Sequence, residues 1–192
     1  MPRDSILYLA FVAAAAAIAL AERLHTARNE TRLLAAGGRE VAPWVFRLMV
    51  PVYSGLFITA PVEHLLLARR PPAILVVAMV LLYAAAKGLK LSVARHLGEA
   101  WTMKVVLPPR PRIVTSGPYR HLRHPNYVAV MAEVLALPLA GGAWVSATVG
   151  GILFALILAW RVRTEEEALL AHPEYALLMA GKGRFLPGGS KP

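Results

Sequence analysis

The 192-residue chain has no cysteine, and it is poor in acid. Without cysteine there is no disulfide framework, no thiolate metal site and no cysteine nucleophile. Only 17% of the residues are charged, and the shortfall is acidic: 11 Asp and Glu stand against 21 Lys and Arg, for a net charge of +10. A soluble domain of this length carries about 25% charge. Hydrophobic residues make up 57% of the chain, which excludes a disordered polymer and disfavours an ordinary water-soluble domain. An apolar chain with surplus cations points to segments in lipid joined by basic loops.

The apolar stretches are Ile6–Ala21, Leu48–Val62 with flanks from Val41 to Leu67, Ala73–Ala86 running on to Val93, and Tyr127–Trp160. The last is interrupted by a single charge, Glu133, and would be far longer than a bilayer core as one helix. Pro138, Gly141 and Gly142 near its middle make it a hairpin of two short helices. The expected fold is therefore an all-α integral membrane protein with five spans, at about 5–22, 42–67, 72–93, 126–140 and 143–160, and a helical tail. The first stretch is read as a span rather than a cleaved signal, because no A-x-A site opens a soluble domain after it.

Loops 22–40 and 94–126 and tail 161–192 carry four, six and five Lys and Arg. The opposite side holds only Arg3, Arg69 and Arg70. This bias places the N-terminus outside and the tail in the cytoplasm. The basic loops then need no nucleic acid to explain them, and no aromatics interleave with them as a nucleic-acid surface would require.

Thr115-Ser116-Gly117-Pro118-Tyr119-Arg120-His121-Leu122-Arg123-His124-Pro125-Asn126-Tyr127 combines a turn signal with a proline suited to the first turn of a helix. Arg123, His124 and Asn126 then crowd at a helix N-terminus, which suits an anionic group. The same residues also suit an interfacial anchor of Arg, His and Tyr in the headgroups. His121 and His124 lack a third ligand at any fixed spacing, so no metal site is expected. After the last span, Arg161 and Glu165 share a helix face, and Glu166 and Glu167 extend the acidic run. Such a run is either a solvated helix face or, since it shares one mouth with His124, part of a site. The tail from His172 to Gly188 is apolar enough to fold back over that mouth, with Phe185 and Leu186 plugging against the spans. Glu63 and His64 are functional if they lie at membrane depth and interfacial if their span ends near Thr59.

Gly117-Pro118-Tyr119 with Arg123-His124-Pro125-x-Tyr127, followed by Arg161-x-x-x-Glu165-Glu166-x-x-Leu169 and Tyr175, resembles the isoprenylcysteine carboxyl methyltransferase family from about residue 90 onward. The resemblance implies a membrane enzyme that uses S-adenosylmethionine, held at a cytoplasmic pocket within about 95–127 and 160–188. It implies cofactor contacts from Tyr119, Leu122, Arg123, His124, Pro125, Asn126, Tyr127, Glu165 and Glu166, with Arg161 and Glu165 nearest the transfer centre. It further implies a lipophilic acceptor that arrives from the bilayer, with no protein partner. Glu22-Arg23-Leu24, Arg28-Asn29-Glu30, Gly37-Gly38-Arg39-Glu40 and Arg95 to Thr102 resemble the bacterial branch, in the inner membrane. Some members of that branch O-methylate alkylpyrones or alkylresorcinols. A phospholipid N-methyltransferase, an NADPH-dependent sterol-reductase-like enzyme sharing the Arg-His-Pro-Asn-Tyr turn, and a non-enzymatic scaffold are the alternatives.

Overall fold

The computed structural model describes residues 2–179 and 181–187, so residues 180 and 188 of the expected cofactor region lie outside the described residues. The elements are α1 (Arg3–Ala35), β1 (Arg39–Val41), α2 (Pro43–Leu66), α3 (Ala73–Leu97), β2 (Val105–Leu107), α4 (Pro125–Ala140), α5 (Trp144–Leu170) and α6 (Pro173–Met179). Short 3-10 turns at Gly98–Ala100 and Gly117–Arg120 interrupt the long segment between α3 and α4.

Four helices, α1, α2, α3 and α5, are long and apolar enough to cross a membrane. The fifth, α4, has 16 residues and spans about 24 Å, short of a bilayer core of about 30 Å. It folds back on α5 through a turn in which the N–H groups of Gly141 and Ala143 both donate to the Pro138 carbonyl. Gly141 admits no side chain, because the Tyr8 ring of α1 packs directly on its backbone. The core runs between the helices through Val12, Met49, Leu56, Tyr83, Val134 and Phe154. Ile58, Leu66, Ile74, Val145 and Leu156 are exposed on the outer faces. That is the distribution of a bundle whose surroundings are apolar.

The described residues are mostly helical, consistent with the expected all-α membrane class, with one short addition: β1 and β2 pair antiparallel, with Arg39 opposite Leu107 and Val41 opposite Val105. Val105 and Val106 are β-branched and suit a short ladder, but three-residue strands paired across more than sixty residues leave no periodic signal. The expected loop 22–40 is helical as far as Ala35. Its buried face is held by the 98–104 segment: Asn29 Nδ2 donates to the Gly98 and Trp101 carbonyls, at 3.3 and 2.9 Å. Glu30 accepts from the Met103 and Lys104 N–H groups, both at 3.1 Å. α5 runs on past the expected span end at Trp160 to Leu170, so the Arg161–Glu167 run lies on one unbroken helix, in keeping with the helix face expected to be shared by Arg161 and Glu165.

Glu63 and His64 lie at the end of the bundle where α5 begins. Glu63 caps α5, accepting from the N–H groups of Val145 (3.0 Å) and Ser146 (2.7 Å) and from the Ser146 hydroxyl. His64 Nδ1 is 2.7 Å from the Gly141 carbonyl, which can only accept, so that nitrogen carries the proton. Nε2 then accepts from Ser5 Oγ at 3.0 Å. Both residues staple helix ends together, far along α5 from Arg161.

Candidate functional site

At the opposite end, α4 begins beside the last three turns of α5. His124 sits just before Pro125, and its carbonyl takes the Tyr127 N–H at 3.1 Å. Gly117 starts the turn that leads there. Its φ of +57° and the His96 imidazole packed on its backbone leave no room for a side chain.

Tyr127 is the centre of the arrangement. Its ring stacks on His124, centroids 5.2 Å apart, and the Arg161 guanidinium lies over it at 5.4 Å. Arg161 Nε donates to the Tyr127 hydroxyl at 2.7 Å, and that hydroxyl donates to Glu165. Arg161 is 5% exposed, and its other contact is soft: Nη1 lies 3.8 Å from Met49 Sδ. Among the described residues, Arg161 has no carboxylate within salt-bridge distance and Glu165 has no cation. A buried charge without a direct counter-charge is costly. Here the buried Arg161 and the half-buried Glu165 stand on either side of a phenol that bridges them.

Two cavities meet at this point. The smaller, about 160 Å³, is walled by Trp101, the β2 strand, Tyr119, Arg123, His124, Glu165, Tyr175 and Met179. The larger, about 460 Å³, is apolar and runs between the helices past Ala19, Phe46, Met49, Tyr53, Phe57 and Phe154. Leu20, Val50 and Ile58 in its wall are exposed, so it opens sideways between α1 and α2. Trp101, Thr102, Asn126, Tyr127 and Arg161 wall both cavities. Asn126 Oδ1 is buried there with no hydrogen-bond partner among the described residues. Burial, followed by the Glu165 carboxylate, pushes the hydroxyls of Tyr119 and Tyr175 well above the usual phenol range. Both stay neutral donors at the small cavity.

Seven of the residues singled out from sequence thus wall one or both cavities: Tyr119, Arg123, His124, Asn126, Tyr127, Arg161 and Glu165. Three do not. Pro125 is fully buried in the first turn of α4. Leu122 makes a backbone bridge with Gly183. Glu166, one residue on from Glu165, is turned about 100° around α5. Its carboxylate accepts from His124 Nε2 at 3.0 Å and from Arg184 Nε at 2.9 Å, with Arg123 at 3.7 Å.

Glu166 therefore fastens the tail. The Arg123 and His124 N–H groups donate to the Gly183 and Arg184 carbonyls at 2.9 and 3.1 Å, and Lys182 Nζ reaches the Tyr119 carbonyl at 2.9 Å. Phe185 lies near His124, at 6.2 Å between centroids, but both it and Leu186 are exposed, and neither plugs the spans. Glu166→Gln is expected to loosen this segment: limited trypsin digestion at Lys182 and Arg184 should be at least about tenfold faster, the loss of one charge-assisted hydrogen bond. Unchanged digestion would show that the backbone contacts hold the tail alone.

The walls from α2 and from the apolar part of α1 carry no motif and are not apparent from the sequence, whereas the 101–107 segment falls within the expected 95–127 region and Glu22 and Arg23 within a stretch that the resemblance covers. Glu133, alone in its apolar stretch, and Lys87 and Lys90, late in α3, are visible there only as interruptions.

The isoprenylcysteine carboxyl methyltransferase (ICMT) family matches residues 76–172, half of the chain and both arms of this site. The uncharacterized protein YpbQ of Bacillus subtilis (strain 168) is 29% identical over 154 residues, covering 78% of this chain and 88% of its own length. An uncharacterized protein of Haemophilus influenzae is 37% identical over 75 residues, 38% of this chain and 44% of its own.

Proposed function

The chain belongs to the isoprenylcysteine carboxyl methyltransferase family, and on that premise we propose that it transfers a methyl group from S-adenosylmethionine to an oxygen of an anionic, lipophilic acceptor. The observation that carries the reading is the pair of opposite charges held apart by Tyr127, neither in a direct salt bridge among the described residues: an anion, Glu165, facing the small cavity and a cation, Arg161, at the junction with the apolar one. A sulfonium with an ammonium group suits the first, and an ionised acceptor suits the second.

The residues present fit the cofactor. Glu165 offers a carboxylate to its ammonium, Arg123 a guanidinium to its carboxylate, and Tyr119, Tyr175 and Met179 give ring and thioether surface. The cofactor supplies an electrophilic methyl group: its carbon–sulfur bond breaks as the oxygen–carbon bond forms in line, and the electron pair stays on sulfur. Arg161 holds the acceptor oxygen with the guanidinium edge that faces the junction. The Tyr127 hydroxyl fixes Arg161 and Glu165 relative to one another. Trp101 and the tail keep water from the junction. A carboxylate acceptor needs no base. A phenol or enol would pass its proton to Glu165, since His124 already donates Nε2–H to Glu166.

The acceptor reaches Arg161 sideways, through the opening between α1 and α2, from the inner membrane. The basic end of the bundle faces the cytoplasm, where the methyl donor is available. An amine headgroup would meet the Arg161 charge at the junction, which disfavours N-methylation.

Purified protein in detergent is expected to bind S-adenosylmethionine by isothermal titration. With labelled cofactor it should label a prenylcysteine, an alkylpyrone or an alkylresorcinol, and leave phosphatidylethanolamine unlabelled. Folded protein that binds no cofactor, or label on phosphatidylethanolamine alone, would overturn the reading.

A further inference from the structure

Five polar side chains from four helices meet beside the larger cavity. Lys90 Nζ lies 2.8 Å from Glu133 and 3.1 Å from Glu22, and Lys87 Nζ lies 3.1 and 3.0 Å from the same two carboxylates. The Tyr53 hydroxyl donates to Glu133 at 2.7 Å. As a staple this group is redundant, because Lys87 alone already bridges Glu22 on α1 to Glu133 on α4. Its second lysine has a different position. Lys90, Glu22 and Tyr53 wall the cavity, whereas Lys87 and Glu133 do not.

An ammonium has three donors. Lys90 gives one to each carboxylate, which leaves one for the otherwise apolar space that it walls. A donor facing apolar space is expensive unless a ligand oxygen meets it. Two lysines and two glutamates cancel, so nothing in the cluster attracts a second anion. Tyr53, whose proton goes to Glu133, can only accept from the cavity side.

We propose that Lys90 is a specificity-determining residue: it takes an uncharged oxygen, hydroxyl or carbonyl, that the acceptor carries deeper in its chain than the oxygen at Arg161. The proposal rests on the reading of this cavity as the acceptor's. The separation follows from α4, where Glu133, the partner of Lys90, comes six residues after Tyr127, the partner of Arg161, about 9 Å along the helix. A hydroxyl would use both Lys90 and Tyr53, a carbonyl only Lys90. The acceptor so favoured carries a second, neutral oxygen function along its chain, and is preferred over the same acceptor on a plain hydrocarbon chain.

Two probes test this on purified protein loaded with S-adenosylhomocysteine, the demethylated cofactor. One is a saturated long-chain carboxylic acid; the other is the same acid with a keto oxygen about 9 Å from the carboxylate. The wild type is expected to bind the keto acid at least about tenfold tighter, as one hydrogen bond to a charged donor allows. Lys90→Met should erase the preference while S-adenosylhomocysteine affinity is unchanged. Tyr53→Phe should leave the keto preference intact and weaken only a hydroxy analogue. Equal wild-type affinities, or a preference that survives in Lys90→Met, would overturn the proposal. The wild-type comparison decides even where Lys90→Met does not fold. Binding of neither acid would overturn the acceptor reading of the cavity and this proposal with it.

Discussion

Arg161→Met is expected to bind S-adenosylmethionine within about threefold of wild type and to lose turnover by about 100- to 1,000-fold, the range for removing one donor aimed at a reacting oxygen. Methionine roughly keeps the volume of the arginine stem, and the new thioether would sit beside Met49 Sδ, which already touches Nη1. The Tyr127 hydroxyl keeps its acceptor, Glu165, so no buried donor is stranded. Replacing a buried charge that makes no direct salt bridge among the described residues by an apolar side chain relieves a desolvation cost that the attraction to Glu165 across the Tyr127 hydroxyl offsets in part, and melting should move little. That combination separates two roles. A guanidinium that only held the bundle together would show the reverse, a protein that melts early and turns over normally when folded. Arg161→Lys keeps the charge but not the flat fork that can serve Tyr127 and an acceptor oxygen at once, so partial activity with a raised KM for the acceptor is the expected intermediate. Arg161→Met with wild-type turnover would remove this residue from the chemistry.

The helices that build the site differ in how legible they are. The α4–α5 hairpin is readable because Pro138, Gly141 and Gly142 break an apolar run longer than any bilayer needs. Tyr127 and Arg161 then meet as a consequence of that hairpin: the residue that opens the run and the one that follows it come back to the same end. The extension of α1 is not readable in the same way. Residues 22–35 are polar and charged, a pattern shared by loops and solvated helices, and what decides is Asn29 and Glu30 finding the backbone of 98–104, seventy residues away. The cavity walls from α1 and α2 escape for a related reason. Ala16, Ala19 and Phe57 are ordinary lipid-helix residues, and only packing reveals that they face a void. The separate fates of Glu165 and Glu166 were legible in principle. Neighbours on a helix point about 100° apart, so two consecutive glutamates face different surroundings. Matching the pair to a motif obscures this; the geometry assigns one to the cavity and one to the tail.

Glu165→Gln is expected to weaken S-adenosylmethionine binding by about 10- to 100-fold, the worth of one charge-assisted hydrogen bond, while leaving the fold intact. Glutamine is isosteric, and its amide oxygen still accepts from the Tyr127 hydroxyl. What disappears is the negative charge at the small cavity, so S-adenosylhomocysteine, which keeps the ammonium but has no sulfonium, discriminates the target of that charge. An equal loss for both ligands assigns Glu165 to the ammonium, and a loss confined to S-adenosylmethionine assigns it to the sulfonium. The same variant also sorts the acceptors. At saturating cofactor, a carboxylate acceptor is already ionised, so its turnover should be little changed in Glu165→Gln. A hydroxyl acceptor must shed a proton, and its turnover should fall by a further 100-fold or more, about the share that a positioned general base contributes. A Glu165→Gln protein that binds the cofactor as the wild type does would leave Glu165 as a spacer for Tyr127. The opposite charges at the junction would then reduce to Arg161 alone.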